Sequence, residues 1–186
     1  MRVFKEEQAV ARLAEIVALE CGVTSAKARQ IRVAAALHDV GKQKIPAEIL
    51  SKPGELTAAE FEVMKTHTTL GAAMLESVQG ELGIAARTIA RYHHENWDDT
   101  GYWGKHLCEL PHYVGIVAIA DVFTALLYGR PYKQPWHLDD ALAYINSMSG
   151  TQFSPALVEV FISLAQNDSR VREVFRRGGD SHSGGH

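Results

Sequence analysis

Cysteine is scarce in this sequence, because Cys21 and Cys108 are the only two among 186 residues. Two cysteines this far apart form neither a disulfide framework nor a Cys-x-x-Cys site for a metal or for redox chemistry. An excess of positive charge is missing as well, since the net charge is −3 at pH 7. The sequence therefore excludes a broad basic surface for duplex DNA or RNA.

Long apolar segments are also missing. The longest run, residues 114–128, contains Asp121 and is shorter than the roughly 20 residues that cross a bilayer as a helix. Residues 1–7 hold no apolar segment of the kind that secretion signals carry. These absences predict a cytoplasmic protein without membrane insertion.

The alternating pattern of β-strands does not occur either, whereas helical periodicity recurs along the chain. Helices are predicted at about 5–21, 25–39, 57–75, 82–94, 112–128, 138–148, 155–164 and 169–176. We therefore expect an all-α fold, in which residues 1–176 form a single helical bundle with a C-terminal helical extension. Residues 177–186 are rich in glycine, serine and histidine, and we expect them to be disordered.

Residues 34–42 read AAALHDVGK and place a histidine and an aspartate behind a run of apolar residues. Such a run predicts that His38 and Asp39 are buried. A buried carboxylate is costly unless it is paired or ligates a cation. The pair therefore either caps a helix and contacts a local partner, or it ligates a metal.

Further histidines and an aspartate recur in similar settings. Asp121 lies within an apolar helix, where it either ligates a cation or pairs with an arginine or a helix end. The full candidate set consists of His38, Asp39, His67, His93, His94 and Asp121. A set rich in imidazole and carboxylate and lacking cysteine disfavours structural zinc and favours Fe, Mn, Zn or another divalent metal used for hydrolysis. Asp39 can bridge two such ions, which together promote displacement at phosphorus.

Basic and aromatic residues near these candidates suit an anionic ligand. Lys42 follows the His-Asp pair closely, and Arg130 and Lys133 are further candidates for anion contacts, although the sequence context of each residue taken alone favours a solvated surface role. The loop from Glu95 to Pro111 is long, and its aromatic residues are Trp97, Tyr102 and Trp103. These rings either stack on a nucleobase or anchor the loop by packing.

A series of motifs in this chain resembles the HD-GYP domain of the HD phosphohydrolase superfamily. The matching pieces, in family order, are LHDVGK (37–42), KIP (44–46), ILSKPGELT (49–57), MKTH (64–67), HHENWD (93–98), TGY (100–102), ADV (120–122) and RPYK (130–133). The resemblance implies an HD-domain-type all-α fold with a site for two or three metals. It also implies cleavage of cyclic di-GMP, or a related cyclic dinucleotide, to linear products in bacterial signalling.

The resemblance also assigns roles to residues. The family's metal ligands fall on His38, Asp39, His67, His93, His94 and Asp121, its phosphate-contacting lysine falls on Lys42, and its basic ligand-contacting pair falls on Arg130 and Lys133. We expect Asp39 and Lys42 to act in catalysis, and Tyr102 and Trp103 to contact substrate with the basic residues. The expected cofactors are two divalent ions, Fe or Mn first and Zn, Ni or Mg as alternatives, and a homodimer is a further expectation.

The chain departs from the family pattern at several positions. The family's first helix usually supplies a glutamate and a histidine, but this helix has no histidine, and Glu6 or Glu7 lies nearest to the expected glutamate. Tryptophan replaces the proline of the GYP triplet at Trp103, and Asp99 and Gly115 replace the usual glycine and arginine. Two alternatives therefore stay open: an HD phosphohydrolase for another nucleotide or phosphoester, and a catalytically weakened module that binds a ligand for signalling.

Overall fold

The computed structural model describes residues 2–128 and 134–179, with side chains for 5–128 and 134–175. Within these residues the chain forms α1 (Arg2–Glu20), α2 (Ser25–Ala35), α3 (Ala47–Leu50), α4 (Ala58–Met74), α5 (Gly80–Tyr92), α6 (His112–Tyr128), α7 (Leu138–Ser147), α8 (Pro155–Asn167) and α9 (Ser169–Gly179). Short 3₁₀ helices lie at Val40–Lys44 and Leu107–Glu109. No β-sheet forms in this part of the chain, which confirms the all-α prediction.

The caps that the sequence predicts are present at several helix starts. At α4 the Thr57 hydroxyl accepts from the Glu60 backbone at 3.3 Å, while the Glu60 carboxylate accepts from the Thr57 backbone at 2.7 Å. This reciprocal capping box satisfies two backbone N–H groups that the helix itself leaves unpaired. Pro155 opens α8, where its fixed φ suits the first helical turn.

Some helix ends differ from the prediction. Helix α2 stops at Ala35 instead of about Asp39, because its last turn tightens into i→i−3 hydrogen bonds from Leu37 to Ala34 and from His38 to Ala35. Helix α5 stops at Tyr92, two residues before the predicted end. Helix α9 continues to Gly179, past the predicted boundary at 176, and the rest of the predicted tail, 180–186, lies outside the described residues.

The helices share one continuous apolar core. Helix α1 packs against α2 and α6, and α2 packs in turn against α5. Large, fully buried apolar side chains come from several helices and include Leu13, Ile31, Ile89, Ile119, Phe123 and Phe161, and Phe153 joins them from the turn between α7 and α8. None of the helices in 2–128 and 134–179 combines the length and hydropathy needed to cross a membrane.

A close backbone contact joins the 3₁₀ helix at 40–44 to α4. A side chain added at Gly41 would place its Cβ 1.9 Å from the carbonyl oxygen of His67 and 2.5 Å from the backbone nitrogen of Gly71. Only glycine fits this contact, which brings the segment that carries Asp39 against the helix that carries His67.

Candidate metal centre

The six predicted ligands come together from four parts of the chain. His38 and Asp39 follow α2, His67 belongs to α4, His93 and His94 follow α5, and Asp121 belongs to α6. Their ligand atoms form two overlapping groups, each within 4.8 Å: Asp39, His67, His93 and His94, and His38, His93 and Asp121. The fold therefore gathers in one cluster residues that lie up to 83 positions apart (121 − 38).

Three histidines are oriented by backbone carbonyls. Nδ1 of His38 lies 2.8 Å from the Ala35 carbonyl oxygen, and Nδ1 of His67 lies 2.7 Å from that of Met64. Nδ1 of His93 lies 3.1 Å from the Ile89 carbonyl oxygen. A carbonyl only accepts, so each Nδ1 carries a hydrogen, and in the neutral ring each Nε2 keeps a lone pair for a cation.

The carboxylate of Asp39 lies at the centre of these Nε2 atoms. Its Oδ1 is 3.3 Å from Nε2 of His67 and 3.6 Å from Nε2 of His93, and its Oδ2 is 3.4 Å from Nε2 of His38. Asp121 approaches His38 from the other side, with Oδ1 at 3.4 Å from Nε2. The two oxygens of Asp39 thus face different histidines.

The geometry fits a divalent cation. In the described part of the chain, Nε2 of His38 and Oδ1 of Asp39 are buried without a hydrogen-bond partner. Nε2 of His67 also faces Nε2 of His93 at 3.4 Å. Buried polar atoms without partners are costly, and opposed lone pairs repel each other. A bound cation removes both costs, because imidazole nitrogens and carboxylate oxygens are its ordinary ligands.

The surroundings of the cluster shift the pKa of three of its histidines in different directions. Burial opposes charge on His38, but Asp39 and Asp121 outweigh burial and hold the pKa of His38 well above its usual value. Burial also opposes charge on Asp39, yet His38, a hydrogen bond with His93 and the charge of Lys42 lower the pKa of Asp39 well below its usual value. Burial lowers the pKa of His67 to about 4, and burial with the nearby His93 lowers the pKa of His94. Both shifts favour the neutral form of His67 and His94, which is the form that ligates a metal.

His93 and His94 both reach the cluster although they are adjacent in sequence. Neighbouring helical residues diverge by about 100°. Because α5 ends at Tyr92, the two rings instead lie with centroids 4.1 Å apart. Tyr102 from the following loop stacks on His94 at 4.5 Å with an interplanar angle of 33°.

Glu95 is a buried residue of this region that the sequence did not single out. Its side chain is 1% exposed, and its carboxylate accepts from the backbone N–H groups of Trp103 at 2.8 Å and Lys105 at 2.7 Å. The sequence offered one signal for this residue, an acidic side chain directly after two candidate ligands. The burial of Glu95, however, depends on how the loop folds back onto it. Glu95 thus fixes the loop beside the cluster.

Some of the other predicted residues lie near the cluster and others do not. Lys42 contacts Oδ2 of Asp39, and Glu7 lies within electrostatic range of His38 and Asp39, with its pKa raised by burial. Glu6 instead interacts with Tyr128. Arg130 and Lys133 lie outside the described residues.

Asp99 adopts a backbone conformation that favours glycine, with φ at 65°. Asp99→Gly should therefore stabilise the fold by about 0.5–1 kcal/mol, because glycine enters this region without steric cost. Thermal unfolding should show a rise of about 1–4 °C. The matched control is Asp98→Gly, which removes the carboxylate that accepts from Thr100 at 2.6 Å and should destabilise. A lower melting temperature for Asp99→Gly would contradict this prediction.

Comparison with known proteins gives consistent matches. The family model described as HD domain matches residues 1–157. The chain is 41% identical over 189 residues to a cyclic di-GMP phosphodiesterase of Thermotoga maritima, covering 100% of this chain and 50% of that protein. It is 39% identical over 156 residues to the 3'3'-cGAMP-specific phosphodiesterase 2 of Vibrio cholerae, covering 83% of this chain and 30% of that protein. The chain thus spans half or less of the length of these relatives.

Among solved structures, an HDG"Y"P protein from Bdellovibrio bacteriovorus has the same fold, with a TM-score of 0.71 at 16% identity. The match covers 89% of this chain and 53% of that one. These findings agree with the motifs and with the histidine and aspartate cluster. The chain therefore belongs to the HD domain family and is of the HD-GYP type, with tryptophan at the third position of its GYP triplet.

Proposed function

We propose that this chain is a metal-dependent phosphodiesterase that hydrolyses cyclic di-GMP or a related cyclic dinucleotide. The observation that carries the proposal is the cluster of four histidines and two aspartates, Asp39 and Asp121. The named activities of the relatives in Thermotoga maritima and Vibrio cholerae support the choice of substrate class.

Asp39 has the central role in the proposed centre. Its Oδ1 faces His67 and His93 while its Oδ2 faces His38, so one carboxylate can contact two cations. We assign the remaining ligands to His38, His67, His93, His94 and Asp121. When bound, two divalent ions supply the Lewis acidity that phosphodiester hydrolysis requires. Fe or Mn is the expected metal, with Zn, Ni or Mg as alternatives.

Lys42 is the residue that we assign to the scissile phosphate. Its ammonium group lies against Asp39, and its side chain is 39% exposed, so a ligand at the cluster can reach it. A fixed cation there stabilises the negative charge that develops on phosphoryl oxygens. Tyr102 borders the same cluster at His94 and is assigned to substrate contacts. Trp103 follows it in the loop and contacts Glu95, Thr68 and Arg91, so its substrate contact stays a prediction. Arg130 and Lys133 keep their predicted role in anion binding, and cytoplasmic location and a homodimer also stay predictions.

The test is a substrate panel with protein reloaded with Fe or Mn. We expect linear products from cyclic di-GMP or 3'3'-cGAMP, separated by chromatography, and no turnover after chelation. The matched control is His38→Ala, which should keep the fold and lose the reaction. Turnover of mononucleotides with none of the cyclic dinucleotides would overturn the proposal.

A second candidate is hydrolysis of another nucleotide or phosphoester. Gly115, which stands where the family usually has arginine, is buried beneath Leu157 and offers no side chain to a phosphate. The same panel separates the two candidates. Binding of cyclic di-GMP without turnover, in metal-loaded protein, would instead indicate a ligand-binding module.

A further inference from the structure

Trp103, the residue that replaces proline in the GYP triplet, makes three directional contacts. Its backbone N–H donates to Oε1 of Glu95 at 2.8 Å, and its indole Nε1–H donates to Oγ1 of Thr68 at 3.1 Å. The guanidinium carbon of Arg91 lies 4.9 Å from the centroid of the Trp103 ring, within the range of a cation–π interaction. One side chain thus joins the loop to both α4 and α5.

The hydroxyl oxygen of Thr68 is the acceptor for the indole N–H. It is fully buried and directly follows His67, a candidate metal ligand. Its hydroxyl hydrogen goes to the Lys65 carbonyl oxygen at 2.8 Å, so an oxygen lone pair remains for the Trp103 N–H. A buried hydroxyl that loses such a partner costs free energy, and the contact is therefore specific.

The contacts of Trp103 hold its neighbour in place. Tyr102 stacks on His94 at 4.5 Å and meets the ring of Phe61 edge-on at 5.6 Å. Gly101 permits this arrangement, because a Cβ there would lie 2.5 Å from Cα of Glu95. Tyr102 therefore depends on a loop that is pinned on one side by Glu95 and on the other by Trp103.

Proline cannot make these contacts. It has no backbone N–H to donate to Glu95 and no indole N–H to donate to Thr68. The replacement of proline by tryptophan therefore adds contacts that fix the loop, instead of merely degrading the motif. We call these contacts of Trp103 with Glu95, Thr68 and Arg91 the lock.

We propose that Trp103 is a positioning residue. It locks the loop at 101–105 against α4 and α5 through Thr68, Arg91 and Glu95, and it thereby holds Tyr102 on His94 and sets the affinity for the substrate. The effect on affinity rests on the proposed function, because it takes a cyclic dinucleotide as the ligand beside Tyr102.

The kinetic test removes the acceptor of the indole hydrogen bond. Thr68→Val should raise KM for cyclic di-GMP about tenfold, with kcat and metal content unchanged within about twofold. Thr68→Ser keeps the hydroxyl and should restore KM. The matched control is Thr69→Val, which removes an equivalent hydroxyl bond to the Thr66 carbonyl on the same helix without touching the indole.

A double variant shows whether the two side chains act together. Trp103→Phe removes the indole N–H but keeps a ring. We expect the double variant of Thr68→Val and Trp103→Phe to raise KM no further than the single changes do. Additive effects on KM would overturn the lock. A loss of kcat at unchanged KM would overturn the positioning role as well.

A second measurement is independent of turnover. In protein labelled with ¹⁵N-tryptophan, the indole signal of Trp103, identified by its loss in Trp103→Phe, should exchange slowly with solvent. Thr68→Val should shift this signal and speed its exchange, whereas Thr69→Val should leave it unchanged. An unchanged signal in Thr68→Val would overturn the lock even in an active enzyme. If the wild type turns over no cyclic dinucleotide, the proposed function fails and this signal alone decides on the lock.

Discussion

Asp39→Asn should lower the turnover of cyclic di-GMP by about a thousandfold or more and remove most of the bound metal. The substitution keeps the shape of the side chain and deletes the charge around which His38, His67 and His93 converge. A neutral amide is a weaker ligand for a divalent cation than a carboxylate, so both halves of the cluster should lose affinity for metal. Elemental analysis of the purified protein and chromatography of the products measure the two effects.

The control for this change is Asp140→Asn, an exposed aspartate on α7 that lies outside the cluster. It should keep both metal and activity. His38→Ala and Asp121→Ala should behave like Asp39→Asn, because each removes a different ligand. Full metal content in Asp39→Asn, or retained activity in both His38→Ala and Asp121→Ala, would refute the assigned centre.

Gly41→Ala should destabilise the fold by at least about 3 kcal/mol. The added Cβ would lie 1.9 Å from the His67 carbonyl oxygen and 2.9 Å from Cα of Gly71. These neighbours are backbone atoms, so no rotamer change relieves the overlap, and the two segments must separate. Since Asp39 and His67 lie on opposite sides of this contact, metal content should fall together with the melting temperature.

Gly115→Ala is the matched control, because it also adds one methyl group at a buried glycine. Its Cβ would meet Cδ2 of Leu157 at 3.5 Å, an ordinary contact distance. Alanine in the middle of α6 should stabilise the protein by about 0.5–1 kcal/mol through its higher helix propensity. Equal melting temperatures for Gly41→Ala and Gly115→Ala would contradict the role given to the contact of Gly41 with α4.

Local signals in the sequence were sufficient to predict the helices and to select the six residues that the fold brings together. The capping box at Thr57 and Glu60 and the Ser-Pro start of α8 are short-range patterns, and both fix helix starts correctly. The ends of α2 and α5 come before the predicted residues, because a tight turn with i→i−3 hydrogen bonds follows each helix. Those two turns carry four of the six predicted ligands.

The sequence by itself determined the all-α fold, the family and the identity of the clustered residues, since apolar periodicity, caps and ordered motifs are local properties of the chain. Only the tertiary structure decided how these residues meet. The carbonyls that orient the imidazoles are local in sequence, as Ala35 is to His38, and Glu95 is buried by the loop that follows it. The central place of Asp39, by contrast, depends on contacts with His67 and His93, which are distant in sequence. The same holds for Trp103, whose hydrogen bond to Thr68 spans 35 positions and turns a departure from the motif into a contact with the helix that carries His67.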